Sequence, residues 1–301
     1  MSDRPEQAVL ETDLPGALSR RQGKVRDIYE YPDGMLLVAS DRISAFDVIM
    51  ANGIPGKGKV LTQLSVFWFA QTEGIIANHL LSHRVKDFPA AVQDQGYILA
   101  DRSMWCRKAQ VVPIECVVRG YLAGSGWKSY QQSGMVGEHR LGPGFVESAQ
   151  LPEPLFTPTT KEESGHDMPV DMPGVRDRVG TELADRLRDV SLQVFSAASA
   201  TAAERGFLLC DTKFEFGIAE GELILVDELL TPDSSRYWDA SKYAPGRAQE
   251  AFDKQYVRDY LETLDWNKEP PGPELPGEVV GETRRIYQEA FRRITGLEPP
   301  G

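Results

Sequence analysis

Cysteine and histidine are scarce in this sequence, with three and four among its 301 residues. The cysteines, Cys106, Cys116 and Cys210, are odd in number, and no two of them stand at CxxC spacing. This pattern argues against a disulfide framework and against a zinc ribbon. It favours a reducing compartment and predicts a cytoplasmic protein.

Basic residues are also in deficit. The chain has 33 lysines and arginines against 45 aspartates and glutamates, which gives a formal net charge of -12 at pH 7. Affinity for nucleic acid comes largely from Lys and Arg side chains that replace counterions, so we predict no nucleic-acid partner. A small anionic substrate stays compatible with the sequence if basic residues converge locally.

Long apolar runs are missing as well. The most apolar windows, residues 60–70 and 207–210, are too short or too interrupted for a bilayer, which needs about 20 apolar residues. The polar first residues do not lead into the apolar run of a signal peptide. We therefore predict neither secretion nor a membrane partner. The 41% apolar content still provides a substantial core for one large or two ordinary domains.

Turn residues and periodicity predict a mixture of strands and helices. Residues 23–30 and 35–40 read as strands around a Tyr-Pro-Asp-Gly turn, a hairpin on which Lys24 and Arg26 share a face. The patterns along the rest of the chain predict a helix at 60–71, a buried strand at 111–121, surface loops at 137–158 and 161–175, a helix at 183–198, strands at 207–218 and 222–229, and a helix that includes 286–294.

Acidic side chains alternate with a lysine along the strand at 207–218. Alternation places Asp211, Lys213 and Glu215 on one face. If residues 220–222 form a three-residue loop, Glu215 stands directly opposite Asp227. Two carboxylates in this arrangement call for a cation, and Mg²⁺ with nucleotide phosphates suits a pair with a lysine beside it. A solvated sheet face is the open alternative.

Residues 53–60 match the phosphate-binding pattern GxxxxGK except at the end. Val60 replaces the Ser or Thr that would bind Mg²⁺, and Pro55 removes one backbone N–H. These departures favour an ordinary basic turn before a helix over a true phosphate loop.

Two histidine features are ambiguous. His79 and His83 have the i, i+4 spacing of a helical zinc pair, but the glutamate of HExxH and a third ligand are absent, which favours a structural pair. His166 and Asp167 lie in a polar loop near Lys161. They could contact an acidic substrate or simply face solvent.

Arg119 ends an apolar strand and precedes the glycine-rich segment 120–126. Glycine allows close approach of the backbone to a ligand, and an arginine with the Ser125 hydroxyl suits a phosphate. A structural arginine at a strand end explains this segment equally well. Arg236 is similarly ambiguous by itself.

Taken together, these segments resemble the SAICAR synthetase family, in its longer form of roughly 300 residues. Matching segments follow one another in family order over nearly the whole chain. They are residues 23–27, 40–47, 58–65, 113–121, 123–126, 156–158 with 160–161, 211–217, 227–239 and 253–258.

The resemblance implies a two-lobed α+β fold related to the ATP-grasp and kinase-like nucleotide binders, with antiparallel sheets and flanking helices. With the buried strand as boundary, the lobes are predicted at 1–114, covering the nucleotide, and 115–301, carrying the metal and substrate site and a helical extension. The implied enzyme is an ATP-dependent ligase of de novo purine biosynthesis. It joins L-aspartate to 5-amino-1-(5-phosphoribosyl)imidazole-4-carboxylate through an acyl phosphate and releases ADP and phosphate.

The resemblance also implies roles for individual residues. The ATP-binding and Mg²⁺-binding candidates are Lys24 and Arg26 over the phosphates, Glu115 at the nucleotide hinge, Lys213 on the phosphates, and Glu215 and Asp227 as metal ligands. The substrate-binding candidates are Arg119, Ser125 and Arg236 on the 5′-phosphate, Ser44, and His166 and Asp167 near the acceptor. The catalytic candidates are Asp211, Lys161 and Lys213.

One segment departs from the family pattern. Residues 168–171 read Met-Pro-Val-Asp where many relatives continue Glu-Asn-Ile-Ser, so the loop on the aspartate side is not defined by the resemblance. Two other functions stay open from the residues. A kinase-like phosphotransferase would carry HRD and DFG signatures, which are absent here. A non-catalytic nucleotide-binding module would bind ATP without releasing ADP.

Overall fold

The computed structural model describes residues 7–161 and 168–301. Its strands are β1 (Ser19–Gln22), β2 (Arg26–Tyr31), β3 (Gly34–Ala39), β4 (Arg42–Ala45), β5 (Val48–Gly53), β6 (Leu80–Ser82), β7 (Ser103–Cys106), β8 (Gln110–Val111), β9 (Ile114–Tyr121), β10 (Met135–Val136), β11 (His139–Arg140), β12 (Gln150–Phe156), β13 (Thr159–Thr160), β14 (Phe207–Ala219), β15 (Glu222–Val226) and β16 (Ser235–Asp239). The helices are α1 (Lys57–Thr72), α2 (Gly96–Leu99), α3 (Gly124–Ser133), α4 (Met172–Val179), α5 (Thr181–Glu204), α6 (Gln255–Glu262) and α7 (Gly277–Thr295), with 3₁₀ turns at Val85–Asp87 and Ala90–Gln95.

The α+β class is confirmed. Among the described helices, none is both long and apolar enough to span a bilayer.

The chain forms two compact units. Unit 1 comprises the residues up to Phe67, His79–Lys108 and Phe252–Gly301, and unit 2 comprises Trp68–Asn78 and Ala109–Ala251. This division differs from the lobes predicted at 1–114 and 115–301. The break at 108/109 falls close to the predicted one, but residues 68–78 belong to unit 2 and residues 252–301 return to unit 1.

Unit 1 contains a five-stranded antiparallel sheet in the order β1-β2-β3-β7-β6 and the separate hairpin β4-β5. One core cluster lies between this hairpin and the C-terminal segment, whose Val257 and Leu261 in α6 pack with Ile43 and Met50. The backbone of Leu275 donates to Asn52 Oδ1 at 2.8 Å. The C-terminal segment therefore belongs to unit 1 because the hairpin's apolar face is buried against it.

The predicted hairpin at the start of unit 1 is confirmed as β2-β3, with Tyr31 paired to Gly34. Its predicted arrangement of Lys24 and Arg26 is wrong. Lys24 lies in the bend before β2 and is exposed, whereas Arg26 is the first residue of β2 and is buried. The two side chains do not share a strand face because the strand begins only after Lys24.

Two buried ion pairs connect the segments of unit 1. Arg102 contacts Asp41 through both terminal nitrogens, at 3.0 and 3.2 Å. Arg42 donates to Asp27 Oδ1 at 2.9 Å. Asp41 also accepts from the backbone N–H of Gly58 at the start of α1. Buried carboxylates need such partners, so these charges are structural.

Unit 2 is built on a seven-stranded sheet. Its main path is β12-β9-β14-β15, with β13 paired to β9 and with β8 and β16 paired to β14. The predicted buried strand is β9, and the predicted amphipathic helix is α5, which packs on β9 and β14. The apolar side of α5 is buried at Leu187 and Val190, among others, and Gly206, with φ of +75°, follows the end of the helix. Both predictions are confirmed.

The β14-β15 hairpin has a shorter turn than predicted. Ala219 pairs with Glu222, so the turn is Glu220-Gly221, and both residues are left-handed with φ of +52° and +83°. This two-residue type I′ geometry matches the twist of the flanking strands. Glu215 consequently pairs with Val226, and Asp227 falls beyond the strand. The predicted pairing of Glu215 with Asp227 is wrong by one residue.

Two predicted loops contain regular structure. β12 lies within residues 137–158 and pairs with β9, and α4 begins within residues 161–175. Asp171 caps α4 by accepting from the Gly174 N–H at 2.9 Å, next to Pro173 in the first turn. An Asp two residues before a Pro is a helix-start signal that the loop prediction missed.

Candidate active site

The phosphate-loop-like segment is a packed helix start. Lys57 is buried, with its ammonium 5.8 Å from the centre of the Tyr287 ring. A Cβ at Gly58 would lie 2.2 Å from the Ala39 carbonyl oxygen, so glycine is needed there for close packing. These contacts support the interpretation as a basic turn before a helix.

His79 and His83 flank a strand instead of sharing a helix. β6 occupies Leu80–Ser82 between them. The i, i+4 spacing therefore does not place the two histidines on one helix face. His79 is a buried residue at the start of the strand.

Three neighbouring strands of unit 2 place two arginines around one carboxylate. Asp211 in β14 pairs directly with Arg119 in β9 on one side and with Arg236 in β16 on the other. Directly opposed residues share a face of the sheet, so the three side chains meet above the same row. Backbone register thus brings together two arginines that are more than a hundred residues apart.

The contacts in this row are polar and largely shielded. Arg119 Nη1 donates to Asp211 Oδ2 at 3.0 Å, and Arg236 Nη1 lies 3.7 Å from the same oxygen. Arg119 Nη2 also donates to Ser125 Oγ at 3.1 Å. The side chains of Arg119 and Asp211 are each 12% exposed. We name Arg119, Ser125, Asp211 and Arg236 the arginine cluster.

The first turn of α3 lies against this cluster. Gly124, the first residue of α3, has φ of +53°, and a Cβ there would lie 2.8 Å from Arg236 Nη2. Glycine therefore permits both the backbone conformation and the approach of the guanidinium. The N–H groups of a helix N-terminus favour anions, as the two arginines do. The geometry suits a bound phosphate.

A second polar cluster occupies the same sheet face. Lys213 Nζ contacts Glu115 in β9 and lies 3.6 Å from Glu215 Oε1, while Lys161 Nζ contacts Glu215 Oε2. Thr159 Oγ1 donates to Glu115 Oε2 at 3.2 Å. We name Glu115, Lys161, Lys213 and Glu215 the lysine-glutamate cluster. The predicted face of Asp211, Lys213 and Glu215 agrees with these contacts, and Phe214 and Phe216 are buried on the opposite face, as predicted.

Lys213 remains a cation in this setting. Burial acts to lower its pKa, but the charges of Glu215 and Glu115 outweigh burial and raise the pKa above its usual value. The side chain thus carries a stable positive charge between two carboxylates at neutral pH.

Asp227 follows β15 in a left-handed conformation, with φ of +67°. Such a conformation is costly for a non-glycine residue and is found often at functional sites. The neighbouring Glu228 accepts from Thr231 Oγ1 at 2.6 Å and contributes to the raised pKa of Lys213. Within residues 7–161 and 168–301, no group of three or more His, Cys, Asp or Glu side chains is arranged to hold a metal ion by itself.

Several candidate residues belong to unit 1 or lie outside the described residues. Lys24, Arg26 and Ser44 belong to unit 1, where Lys24 is paired with Asp47 and Ser44 is buried in β4. His166 and Asp167 lie outside the described residues, so their predicted roles stay predictions.

Sequence analysis missed two residues that contact the clusters, Thr157 and Thr159, and one, Glu228, whose charge acts on Lys213. Thr157 Oγ1 accepts from Arg119 Nε at 3.0 Å. Thr157 falls in the predicted loop 137–158 and in a family segment, whereas Thr159 falls in neither. The alternation of polar residues at 157 and 159 was the available strand signal.

Comparisons with known proteins agree on one family. The SAICAR synthetase family model matches residues 19–273. A phosphoribosylaminoimidazole-succinocarboxamide synthase of Pelobacter propionicus is 52% identical over 290 residues, covering 96% of this chain and 98% of the relative. One from Geobacter sp. is 52% identical over 289 residues, covering 96% and 98%.

Solved structures give the same picture. A SAICAR synthase from Saccharomyces cerevisiae, complexed with SAICAR, superimposes with a TM-score of 0.88 at 40% identity, covering 96% of this chain and 99% of that one. A SAICAR synthetase in complex with ADP shares the fold, with a TM-score of 0.69 at 23% identity and coverage of 94% and 100%.

Proposed function

Because the chain belongs to the SAICAR synthetase family and is thus an ATP-dependent ligase of purine biosynthesis, we propose that the arginine and lysine-glutamate clusters form its active site. The reaction joins L-aspartate to the carboxylate of the imidazole ribonucleotide. The observation that carries the proposal is the row Arg119–Asp211–Arg236, which holds two guanidinium groups at one position on the sheet.

The arginine cluster binds the 5′-phosphate of the imidazole nucleotide in this proposal. Arg119, Ser125 and Arg236 then supply N–H and O–H donors to phosphate oxygens, which arginine matches with its planar fork. Asp211, a catalytic candidate in the sequence, is bonded to Arg119 and close to Arg236. Its role in the proposal is to hold the two cations together when no phosphate is bound.

The lysine-glutamate cluster lies one step along β14 and faces ATP. Asp211 and Lys213 are two residues apart on one strand, a separation of about 7 Å, so a substrate anchored at the arginines extends toward Lys213. Lys213 then neutralises charge on the transferred phosphoryl group, and its raised pKa supports a permanent cation in that role. Glu115 orients Lys213 through their direct contact.

Mg²⁺ fits the donor set next to this cluster. Two carboxylates together with substrate phosphates and waters make a usual ligand shell for the ion, and Glu215 and Asp227 are the two acids proposed to hold it. When bound, Mg²⁺ would neutralise phosphate charge during transfer. Glu215 contacts Lys161 and lies close to Lys213, so the side chains of both lysines would shift when the metal is present.

The chemical problem is that a carboxylate has no good leaving group for attack by an amine. Transfer of the γ-phosphoryl group of ATP to the imidazole carboxylate forms an acyl phosphate and ADP. The aspartate amine then attacks the acyl carbon, and phosphate leaves. Positioning and charge neutralisation supply most of the catalysis in such transfers, and the acyl phosphate must be kept from water. Lys161, at the edge of the lysine-glutamate cluster, is proposed to help orient the acyl phosphate.

Three further elements of the sequence analysis remain in the proposal. Lys24 and Arg26 cover the ATP phosphates, Ser44 contributes to substrate binding, and the segment with His166 and Asp167 serves the aspartate. The protein works in the cytoplasm in this proposal, which the three buried, unbridged cysteines support.

A coupled assay for ADP tests the proposal. ADP release is expected only when the imidazole nucleotide is present, because its carboxylate accepts the phosphoryl group, and full turnover requires aspartate as well. Omitting each substrate in turn separates these requirements. Sustained ADP release with aspartate and ATP alone would contradict the proposed acceptor.

A further inference from the structure

The segment between Leu155 and Thr160 follows β9 in one continuous register. Leu155 pairs with Arg119 in β12, and Thr159 pairs with Glu115 in β13. Between them the Thr157 N–H donates to the Val117 carbonyl at 2.8 Å. Because alternate residues share a face, Thr157 and Thr159 point to the same side of the sheet as the two clusters.

Thr157 completes a three-point support of Arg119. Its hydroxyl accepts from Nε at 3.0 Å, while Nη1 donates to Asp211 and Nη2 donates to Ser125. These bonds use three of the five guanidinium N–H groups and fix the plane of the group. Thr157 is buried, so water cannot easily replace its oxygen.

Thr159 plays the corresponding part at the other cluster. Its hydroxyl donates to Glu115 Oε2 at 3.2 Å, and Glu115 Oε1 contacts Lys213 Nζ. One carboxylate oxygen is thus held by the threonine and the other faces the lysine. A hydroxyl bond to one oxygen restricts rotation of the carboxylate and so sets the direction of the contact with Lys213.

We propose that Thr157 and Thr159 are paired positioning residues, with Thr157 orienting Arg119 for the substrate phosphate and Thr159 orienting Glu115 and, through it, Lys213 for ATP. The inference rests on the proposed function of the two clusters. The one segment 155–160 then sets both ends of the site, and the two threonines have separate kinetic effects.

Thr157→Val keeps the shape of the side chain but removes the acceptor of the Arg119 Nε–H. The KM for the imidazole nucleotide is expected to rise about tenfold, because a hydrogen bond to a charged group is lost. The KM for ATP and the KM for aspartate should change less than about twofold.

Thr159→Val is the matched variant. The KM for ATP is expected to rise, or kcat to fall, about three- to tenfold, because Glu115 and Lys213 lose their fixed direction. The KM for the imidazole nucleotide should stay within about twofold. Thr157→Ser and Thr159→Ser, which keep the hydroxyl, should restore most of the wild-type constants.

The experiment is steady-state kinetics with each substrate varied separately, on the full chain. Thr201→Val serves as the control outside the site, because the Thr201 hydroxyl donates only to a carbonyl in its own helix, α5. If a valine variant does not fold, the alanine variant at the same position is measured instead. Equal changes in all three KM values at either threonine, or no rescue by serine, would overturn the inference.

The Arg236→Lys variant separates failure of the inference from failure of the proposed function. If Arg236→Lys raises the KM for the imidazole nucleotide and Thr157→Val does not, Thr157 is not a positioning residue although the phosphate site is correct. If neither variant changes that KM, the proposed phosphate site itself is wrong.

Discussion

A carboxylate between two arginines makes a binding site that is assembled before its ligand arrives. Asp211 accepts from Arg119 and lies close to Arg236, so neither guanidinium has to be gathered from solvent when a phosphate binds. Binding then loses less side-chain entropy than it would with two unrestrained arginines.

Arg236→Lys tests the geometric part of this arrangement. Lysine keeps the charge but lacks the planar fork, and hydrogen bonds to charged groups contribute about 1.5–3 kcal/mol each. The KM for the imidazole nucleotide should therefore rise by about one order of magnitude. The KM for ATP and the KM for aspartate should change little when each substrate is varied separately.

A change confined to the KM for ATP would place Arg236 on the nucleotide side and contradict the proposed division of the site. Arg247→Lys is the control, because Arg247 is an exposed residue whose guanidinium donates to the Lys242 carbonyl outside both clusters.

Glu215→Gln and Asp227→Asn test the proposed metal ligands. Each amide keeps the size of the side chain but removes a negative charge, so turnover should fall by about two orders of magnitude or more, about 2.7 kcal/mol in the barrier. The Mg²⁺ concentration for half-maximal rate should increase. Steady-state rates over a Mg²⁺ titration measure both effects.

Thermal unfolding of the same two variants provides the structural control. A folded variant with wild-type dependence on Mg²⁺ would show that the carboxylate does not hold the metal. A variant that does not fold would show that the carboxylate is structural.

The sequence predicted part of the site. Strand alternation placed Asp211, Lys213 and Glu215 on one face, as the structure has them. The convergence of Arg119 with Arg236 was implied by the family resemblance alone, because no local pattern specifies pairing across a hundred residues. Thr157 was missed because its role depends on the register between two distant strands.

At the scale of single elements, the sequence prediction failed at the length of the β14-β15 turn. Gly221 is compatible with both a two-residue and a three-residue hairpin loop, and Glu220 is an unusual residue for a left-handed position. The longer loop would have aligned two carboxylates across the sheet. The shorter one instead aligns Glu215 with Val226 and leaves Asp227 past the strand end.

Two glycines allow a matched test of backbone conformation. Gly221 lies in this turn with φ of +83°, and Gly281 lies inside α7; a Cβ at either would meet no atom within 4 Å. Gly221→Ala should therefore lower the free energy of unfolding by about 1 kcal/mol through backbone strain. Gly281→Ala should raise it by about 0.5–1 kcal/mol, because alanine restricts the unfolded chain and favours helix.

Urea unfolding curves of both variants measure this contrast. Since neither new methyl group has a steric neighbour, effects of the same sign in the two variants would show that the unfolded state, and not φ, dominates.

At the scale of the whole molecule, the sequence patterns do not show which segments of the chain belong to each unit. Helix α7 is predicted from its own pattern, yet the core that it shares with the β4-β5 hairpin depends on contacts between residues about 200 apart. Apolar periodicity shows that a face must be covered and does not show by what. The predicted lobes, 1–114 and 115–301, differ from the compact units most in residues 252–301, which belong to unit 1.

Leu261→Ala tests the role of the C-terminal segment in unit 1. Leu261 is buried among the residues of α6 and the hairpin, and deletion of such a side chain costs about 2–5 kcal/mol. The free energy of unfolding should fall by that amount in urea. Tyr256→Ala, at an exposed position of the same helix, should change it by less than about 0.5 kcal/mol. Equal losses in the two variants would mean that the segment contributes little through its buried face.

The discontinuity of unit 1 also imposes an order of events during synthesis. Unit 2 lies almost wholly in one stretch, Ala109–Ala251, whereas the hairpin at β4-β5 must wait for Phe252–Gly301 before its apolar face is covered. At about 5–20 residues per second, the ribosome takes roughly ten to forty seconds to make the residues between them. For that time the nascent chain carries an uncovered apolar hairpin, which is a natural binding surface for a chaperone.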